Sequence, residues 1–287
     1  MPVVAAGTWQ YATEAATSSV STALSMGFRH LDTAHDYCSD GTTGTCSVGS
    51  NGPGVAKAVA SSGLHRSELW ITTKVPGCGA QGIGFDTCAK DSLAAAQKNL
   101  AELNTTYTDL LLVHFPPHGG CGATNCAAIR DQWAALSGLL ASNQTRALGV
   151  SNFCISCLKC IEGAIVVPAV NQIQYHIGMG ADPEGLLSYC KSKGIVAQAY
   201  SPLGDSTSEL INGPLVTKMG AAHGKTGVQA ALKWIWQHGV AVTTKSSNAT
   251  HLTQDLDLFD WSLTDAEMSE ADASTTPKGS PSFMCSA

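Results

Sequence analysis

Gly27-Phe-Arg-His-Leu-Asp-Thr-Ala34 carries the pattern on which the fold rests. A glycine ends the helical run Glu14–Met26, a short apolar run follows over Phe28–Asp32, and a carboxylate closes it. Working outward, the same unit recurs. Strands are expected near Val3–Ala6, Leu69–Lys74, Asp109–His114, Ala147–Val150, Ala169–Ile173, Ile195–Tyr200 and Val240–Thr244. Between them the spacing predicts helices near Val55–Ser61, Thr87–Glu102, Ile129–Ala141, Cys154–Glu162, Pro183–Lys193, Pro214–His223 with Val228–Gln237, and Ala249–Leu256. Strand and helix alternate eight times, which implies a parallel sheet with helical crossovers. Eight units imply an α/β fold, a (β/α)8 TIM barrel spanning residues 1–287 as a single domain. The Ser/Pro/Gly-rich stretch 275–287 is expected to be a loose tail.

Composition narrows the function classes. The chain has 287 residues, 44% hydrophobic and 13% charged, with 16 Lys+Arg against 22 Asp+Glu, a formal charge of −6. That apolar content rules out global disorder. Few basic residues argue against nucleic acid as a partner. The longest clean apolar run, Leu110–Val113, is far short of the roughly 20 residues of a membrane span. A monomer acting on small molecules is the expected form. Met1-Pro2 shows no basic or apolar leader region, so a cytoplasmic enzyme is expected. A trimmed leader would look the same, which leaves organellar or secretory placement open.

The eleven cysteines bear on that question. Cys38/Cys46, Cys78/Cys88 and Cys121/Cys126 are close pairs in Gly-rich stretches. They read either as free thiols or as disulfides of an oxidising compartment, and free thiols are the preferred reading. Cys154, Cys157 and Cys160 lack a fourth metal ligand at usual spacing, so they are expected to act as small helix-face hydrophobes rather than as a metal site. Asn104, Asn143 and Asn248 fit the glycosylation pattern.

The polar residues fall at strand ends. Asp32, Lys74, His114 and Tyr200 close strands, Ser151, Asn152 and Lys245 follow them, and Gln172 lies within one. In a barrel these converge on one rim, the usual place of an active site. Tyr37 lies five residues past Asp32, in the loop above it. A cation beside a phenol favours phenolate, which would make Tyr37 a proton donor near neutral pH. Gly77-Cys-Gly-Ala-Gln-Gly82 matches the dinucleotide-fold Gly-x-Gly-x-x-Gly, but intervening residues and its place in the third unit make it a loop.

These residues resemble the aldo-keto reductases over nearly the whole chain. The carrying segments are Gly27–Ala34 with Tyr37, Ile71–Val75, Asp109–His114, Gly149–Phe153, Val170–His176, Ala199–Gly204 and Thr244–Ser246. The resemblance implies hydride transfer from NADPH to an aldehyde or ketone, giving an alcohol. It implies a catalytic tetrad of Asp32, Tyr37, Lys74 and His114, with Tyr37 the general acid, its pKa lowered by Lys74. It further implies cofactor contacts at Gly7, Thr8, Trp9, Asp32, Ser151, Asn152, Gln172, Tyr200, Ser201, Leu203, Lys245, Ser246, His251, Gln254 and Asp255. Trp9, Tyr37, His114 and Phe115 would meet the substrate, and no metal is implied. A catalytically weak NADP-binding regulatory subunit on the same barrel is the alternative reading.

Departures from the family pattern cluster at the two ends of the site. His251 stands where the family has an Arg, so the hold on a 2′-phosphate should weaken above a pKa near ~6.5 and NADH use becomes an option. Gln254-Asp255 replaces the usual Glu-Asn. The loop after Tyr37 is enlarged with Gly, Thr and Cys, and Phe115 replaces the usual Trp. The family's N-terminal hairpin is absent and its tail is short, which suggests an open pocket.

Overall fold

The computed structural model describes residues 1–281 and 285. Eight parallel strands close on themselves in chain order. They are β1 Val4–Gly7, β2 His30–Asp32, β3 Trp70–Val75, β4 Leu110–Val113, β5 Leu148–Ser151, β6 Val170–Gln174, β7 Val196–Tyr200 and β8 Ala241–Thr244. Every expected strand is present, its bounds shifted by one or two residues. Register fixes the rim: Asp32 lies opposite Thr72, Ser151 opposite Gln172, and Gln174 opposite Tyr200. The polar strand ends therefore share one end of the barrel. Gly149 is required at its place in β5, since a Cβ there would stand 2.6 Å from the Val170 carbonyl oxygen.

The helices are α1 Thr13–Ser25, α2 Gly52–Ser61, α3 Cys88–Glu102, α4 Ala123–Ala141, α5 Ile155–Cys160, α6 Leu186–Ser192, α7 Ser208–Ile211, α8 Pro214–Ala222, α9 Gly227–Gln237, α10 Ala249–Leu256 and α11 Asp265–Asp272. α7 had no counterpart among the expected helices and α2 begins three residues early, and three others differ for local reasons. α4 begins at Ala123 rather than Ile129, because Gly122 is extended and opens the helix within a stretch whose Gly and Cys content suggests loop. The run from Pro183 is broken, since Glu184 and Gly185 take left-handed backbone at φ 58° and 68°. α11 was not expected, although Thr264 and Glu267 form a reciprocal capping box visible in the sequence. α9 carries the strongest apolar face. Its Trp234 is fully buried, stacks on Tyr175 at 4.9 Å and donates to Asp272 at 2.8 Å, whereas Trp236 is only half-buried.

At the barrel floor, buried His30 bonds the Pro2 carbonyl through Nδ1 at 2.9 Å and the Thr72 hydroxyl through Nε2 at 2.8 Å. Burial, only partly offset by the Pro2 bond and by Asp32, lowers its pKa to about 4. Buried Asp109 pairs with Arg66 and Arg146, each at 2.8 Å, and accepts from the Ile71 N–H. These bonds tie β2, β3 and β4 to their flanking loops well away from the rim.

The preferred free-thiol reading of the cysteines is overturned. Cys38–Cys46 and Cys78–Cys88 are bonded, but Cys121 pairs with Cys157, Cys126 with Cys160, and Cys154 with Cys285. Cys157 and Cys160 lie one turn apart on α5, so both face Cys121 and Cys126 at the start of α4. Sequence proximity favours Cys121 with Cys126, and the packing of two helices decides otherwise. Among the described residues Cys190 is the one free thiol, and it is buried. The sulfurs of Cys154, Cys157 and Cys285 lie within 4.8 Å of one another, yet each is spent in a disulfide and offers no thiolate.

Part of the stretch 275–287, expected to be a loose tail, lies outside the described residues; the described part makes contacts with the rim. The Ser280 N–H donates to Gln174 at 3.1 Å, Gly279 abuts the His176 ring, and Cys285 is bonded at the N-terminus of α5.

Candidate active site

β2, β3, β4 and the loop after β2 bring the expected tetrad together. Lys74 is fully buried and places Nζ 2.5 Å from Asp32 Oδ1, 3.1 Å from the Thr33 carbonyl oxygen and 3.1 Å from the Tyr37 hydroxyl. A buried ammonium is costly unless paired, and Asp32 supplies the pair. Asp32 Oδ2 accepts from Gln172 at 2.7 Å, so both carboxylate oxygens are engaged. The Tyr37 and His114 rings meet edge to face at 5.6 Å.

Two residues outside the sequence-predicted set hold this cluster. Asp36 Oδ1 lies 2.7 Å from His114 Nδ1. Burial works to raise the Asp36 carboxyl, but the His114 charge and hydrogen bond, with Lys74 further off, outweigh it and hold it below the usual range. Asn51 donates to the Thr8 and Tyr11 carbonyls at 2.8 and 2.9 Å and accepts from Thr33, while its own N–H donates to the Tyr37 carbonyl at 2.7 Å. It thereby locks the loop that carries Tyr37 to the end of β1. Asp36 had a visible signal, a second carboxylate beside the candidate acid. Asn51 had none, because its partners are backbone atoms brought near only by folding.

The lowered Tyr37 pKa that the resemblance implies is not what the geometry gives. Burial first, then Asp32, Asp36 and Tyr200, push the phenol well above its ordinary value. Lys74 is near enough to stabilise phenolate, but its charge is already compensated by Asp32.

A second cluster forms around Asn152, whose backbone is left-handed at φ 61°. That turn aims its side-chain amide back over the rim. The nitrogen donates to the His114 carbonyl at 2.9 Å and to Ser151 Oγ at 3.1 Å, and the oxygen accepts from the Tyr200 hydroxyl at 2.6 Å. Burial raises the pKa of Tyr200, which keeps it a donor. Gln172, expected beside them, turns its nitrogen to Asp32 and to Gln198 at 3.1 Å.

The remaining predicted contacts are spread along the rim. Lys245 Nζ lies over the rings of Tyr11 at 4.6 Å and Trp9 at 5.7 Å, and among the described residues no carboxylate pairs with it. Desolvation lowers its pKa, so an incoming anion would be favoured there. The Ser246 carbonyl accepts from Ser19, Ser201 donates to Asp205 at 2.6 Å, and Leu203 packs on the core. Thr8 is buried and donates to the Asp32 carbonyl, Gly7 continues β1, Phe115 is buried against His114, and Trp9 is exposed. His251 and Gln254 lie on α10, His251 with its N–H capped by Asn248. Asp255 stands apart: it is buried, and desolvation raises its carboxyl to about 6 against a bond from Thr244.

A buried acid–base cluster at the strand ends of such a barrel is suited to proton transfer, and comparison with known proteins makes the class specific. Residues 3–275 match the aldo/keto reductase family. A morphine 6-dehydrogenase of Pseudomonas putida is 31% identical over 95% of this chain and 87% of its own length. A glyoxal reductase of Bacillus subtilis is 33% identical over 90% and 83%. An aldo-keto reductase structure from a Medee basin deep-sea metagenome library superposes with a TM-score of 0.81, at 28% identity over 97% of this chain and 93% of that one. The aldose reductase of Schistosoma japonicum gives 0.81 at 25% identity, over 100% and 93%. The chain belongs to the aldo/keto reductase family, oxidoreductases that act on carbonyl and alcohol groups with a nicotinamide cofactor. Among the described residues no helix is long and apolar enough to cross a membrane.

Proposed function

We propose that the protein is an NADPH-dependent carbonyl reductase in which Tyr37 gives the proton. The observation that carries this is Lys74 Nζ, bonded at once to Asp32 and to the Tyr37 hydroxyl beside His114. The donor set suits a dinucleotide: Lys245 on the rim has no carboxylate partner among the described residues, and Tyr200 offers a ring flanked by the Asn152 amide. Ser151, Asn152 and Tyr200 would hold the nicotinamide, with Ser201, Leu203, Lys245 and Ser246 on the phosphates. When bound, that cofactor supplies the hydride.

The chain's own groups then handle the proton. His114 orients the carbonyl from the side of Phe115 and Trp9. Tyr37 passes its hydroxyl proton to the substrate oxygen, and Lys74 steadies the phenolate left behind. A raised phenol pKa does not hinder this direction, since an alkoxide is a stronger base than a phenolate. It does hinder the reverse, in which phenolate must form first.

Reduction of a panel of aldehydes and ketones, glyoxal included, followed by loss of NADPH absorbance, tests the reading. No turnover with any of them, together with tight cofactor binding, would reject it. His251→Arg should tighten NADPH by roughly tenfold and NADH hardly at all, because a permanent cation meets only the 2′-phosphate. Equal effects on both would remove that role. Five disulfides also support maturation in an oxidising compartment rather than the cytoplasm expected from the sequence start.

A further inference from the structure

The tetrad leaves one buried ion unused. Asp36 has a side chain only 4% exposed, next to Tyr37 in the chain but pointing to a different partner, His114, whose side chain is 14% exposed. The bond between them is 2.7 Å, spanning 78 residues, so folding and not local chain geometry makes it. A carboxylate can only accept, which means the hydrogen in this bond belongs to His114 Nδ1. The groups facing the pair are few. Tyr37 lies on the same loop, Lys74 approaches from β3 with its charge compensated by Asp32, and Tyr200 faces the Tyr37 side from β7. Phe115 and His118 continue the chain beyond His114 and stack in series, Phe115 on His114 at 5.4 Å and His118 on Phe115 at 6.4 Å.

We propose that Asp36 is a positioning residue that pins His114 by its Nδ1–H and so commits Nε2 to the substrate oxygen. This rests on the reductase reading for its consequence but not for its geometry. With Nδ1 held, Nε2 has two states. In the imidazolium it is a donor, which suits a carbonyl about to be reduced. In neutral His114 it is a bare lone pair, which suits an alcohol about to be oxidised. Without Asp36 the neutral ring is free to carry its hydrogen on either nitrogen. The reaction class is that already proposed, and Asp36 sets the orientation of its second hydrogen bond.

The test joins a spectroscopic readout to kinetics. In the native protein, 15N NMR of the histidine rings should show the neutral His114 ring carrying its hydrogen on Nδ1. In Asp36→Asn the neutral ring should show a substantial Nε2–H population. At the same time kcat/KM for carbonyl reduction should fall about tenfold, and Asp36→Glu should recover part of that loss. Cofactor affinity, read by tryptophan quenching, should change less than twofold. A neutral His114 that carries its hydrogen on Nε2 in the native protein would overturn the proposal, as would an unchanged kcat/KM in Asp36→Asn. Should that variant not fold, the native tautomer decides the matter alone. Should no carbonyl be reduced, the reductase reading falls while the tautomer still decides the role of Asp36.

Discussion

Lys74 and Asp32 form a fully enclosed ion pair at 2.5 Å, one charge from the end of β2 and the other from β3. Removing one partner leaves the other buried and uncompensated. Asp32→Asn or Lys74→Met alone should cost about 3–5 kcal/mol of stability, measured by urea unfolding. The double variant should cost less than the two singles combined. Strict additivity would mean that the pair contributes no coupling.

Tyr37→Phe keeps the ring against His114 and deletes the only hydroxyl bonded to Lys74 within the tetrad. Reduction should fall about 10²–10⁴-fold, the usual span for loss of a general acid. Binding of NADPH should survive, because the Asn152, Tyr200 and Lys245 cluster is untouched. Near-full activity would mean that another group gives the proton.

Floor residue His30 should make stability depend on acid. Its pKa falls from 6.5 to about 4 on folding, chiefly by burial. Above the unfolded value both states are neutral and the full stability is present. As pH drops through this window the unfolded chain takes up a proton that the folded one refuses. Stability should therefore decline between pH 6.5 and about 4, by roughly 3 kcal/mol in all from this group. His30→Gln should flatten that part of the pH–stability curve.

The Cys154–Cys285 bond closes a loop of 131 residues, and the chain-entropy account assigns such a link roughly 4–5 kcal/mol. Cys285→Ser should lower Tm and leave the barrel folded. Thiol titration of the denatured, unreduced protein should find one reactive cysteine, Cys190, and eleven after reduction. Eleven before reduction would mean that the native chain carries no disulfides.

The sequence by itself determined the barrel and the membership of its rim. Each strand is a short apolar run bounded by turn residues, and a period so simple needs no tertiary contact to be read. The strand-end positions of Asp32, Lys74, His114, Ser151 and Tyr200 follow from those runs, because β-strand geometry fixes which end of a barrel a residue occupies. Only the tertiary structure decided how these groups spend their bonds. Gln172 serves Asp32, Asp36 serves His114, and Asn51 locks the Tyr37 loop, each across a sequence distance that no local pattern reports. The direction of the Tyr37 pKa was hidden for the same reason. It depends on the balance between burial, two carboxylates and an ammonium already neutralised, and burial exists only once the chain has closed. Cysteine pairing shows the limit most plainly. Cys121 and Cys126 sit five apart, one just before α4 and one in its first turn, yet the docking of α4 on α5 sends them to Cys157 and Cys160.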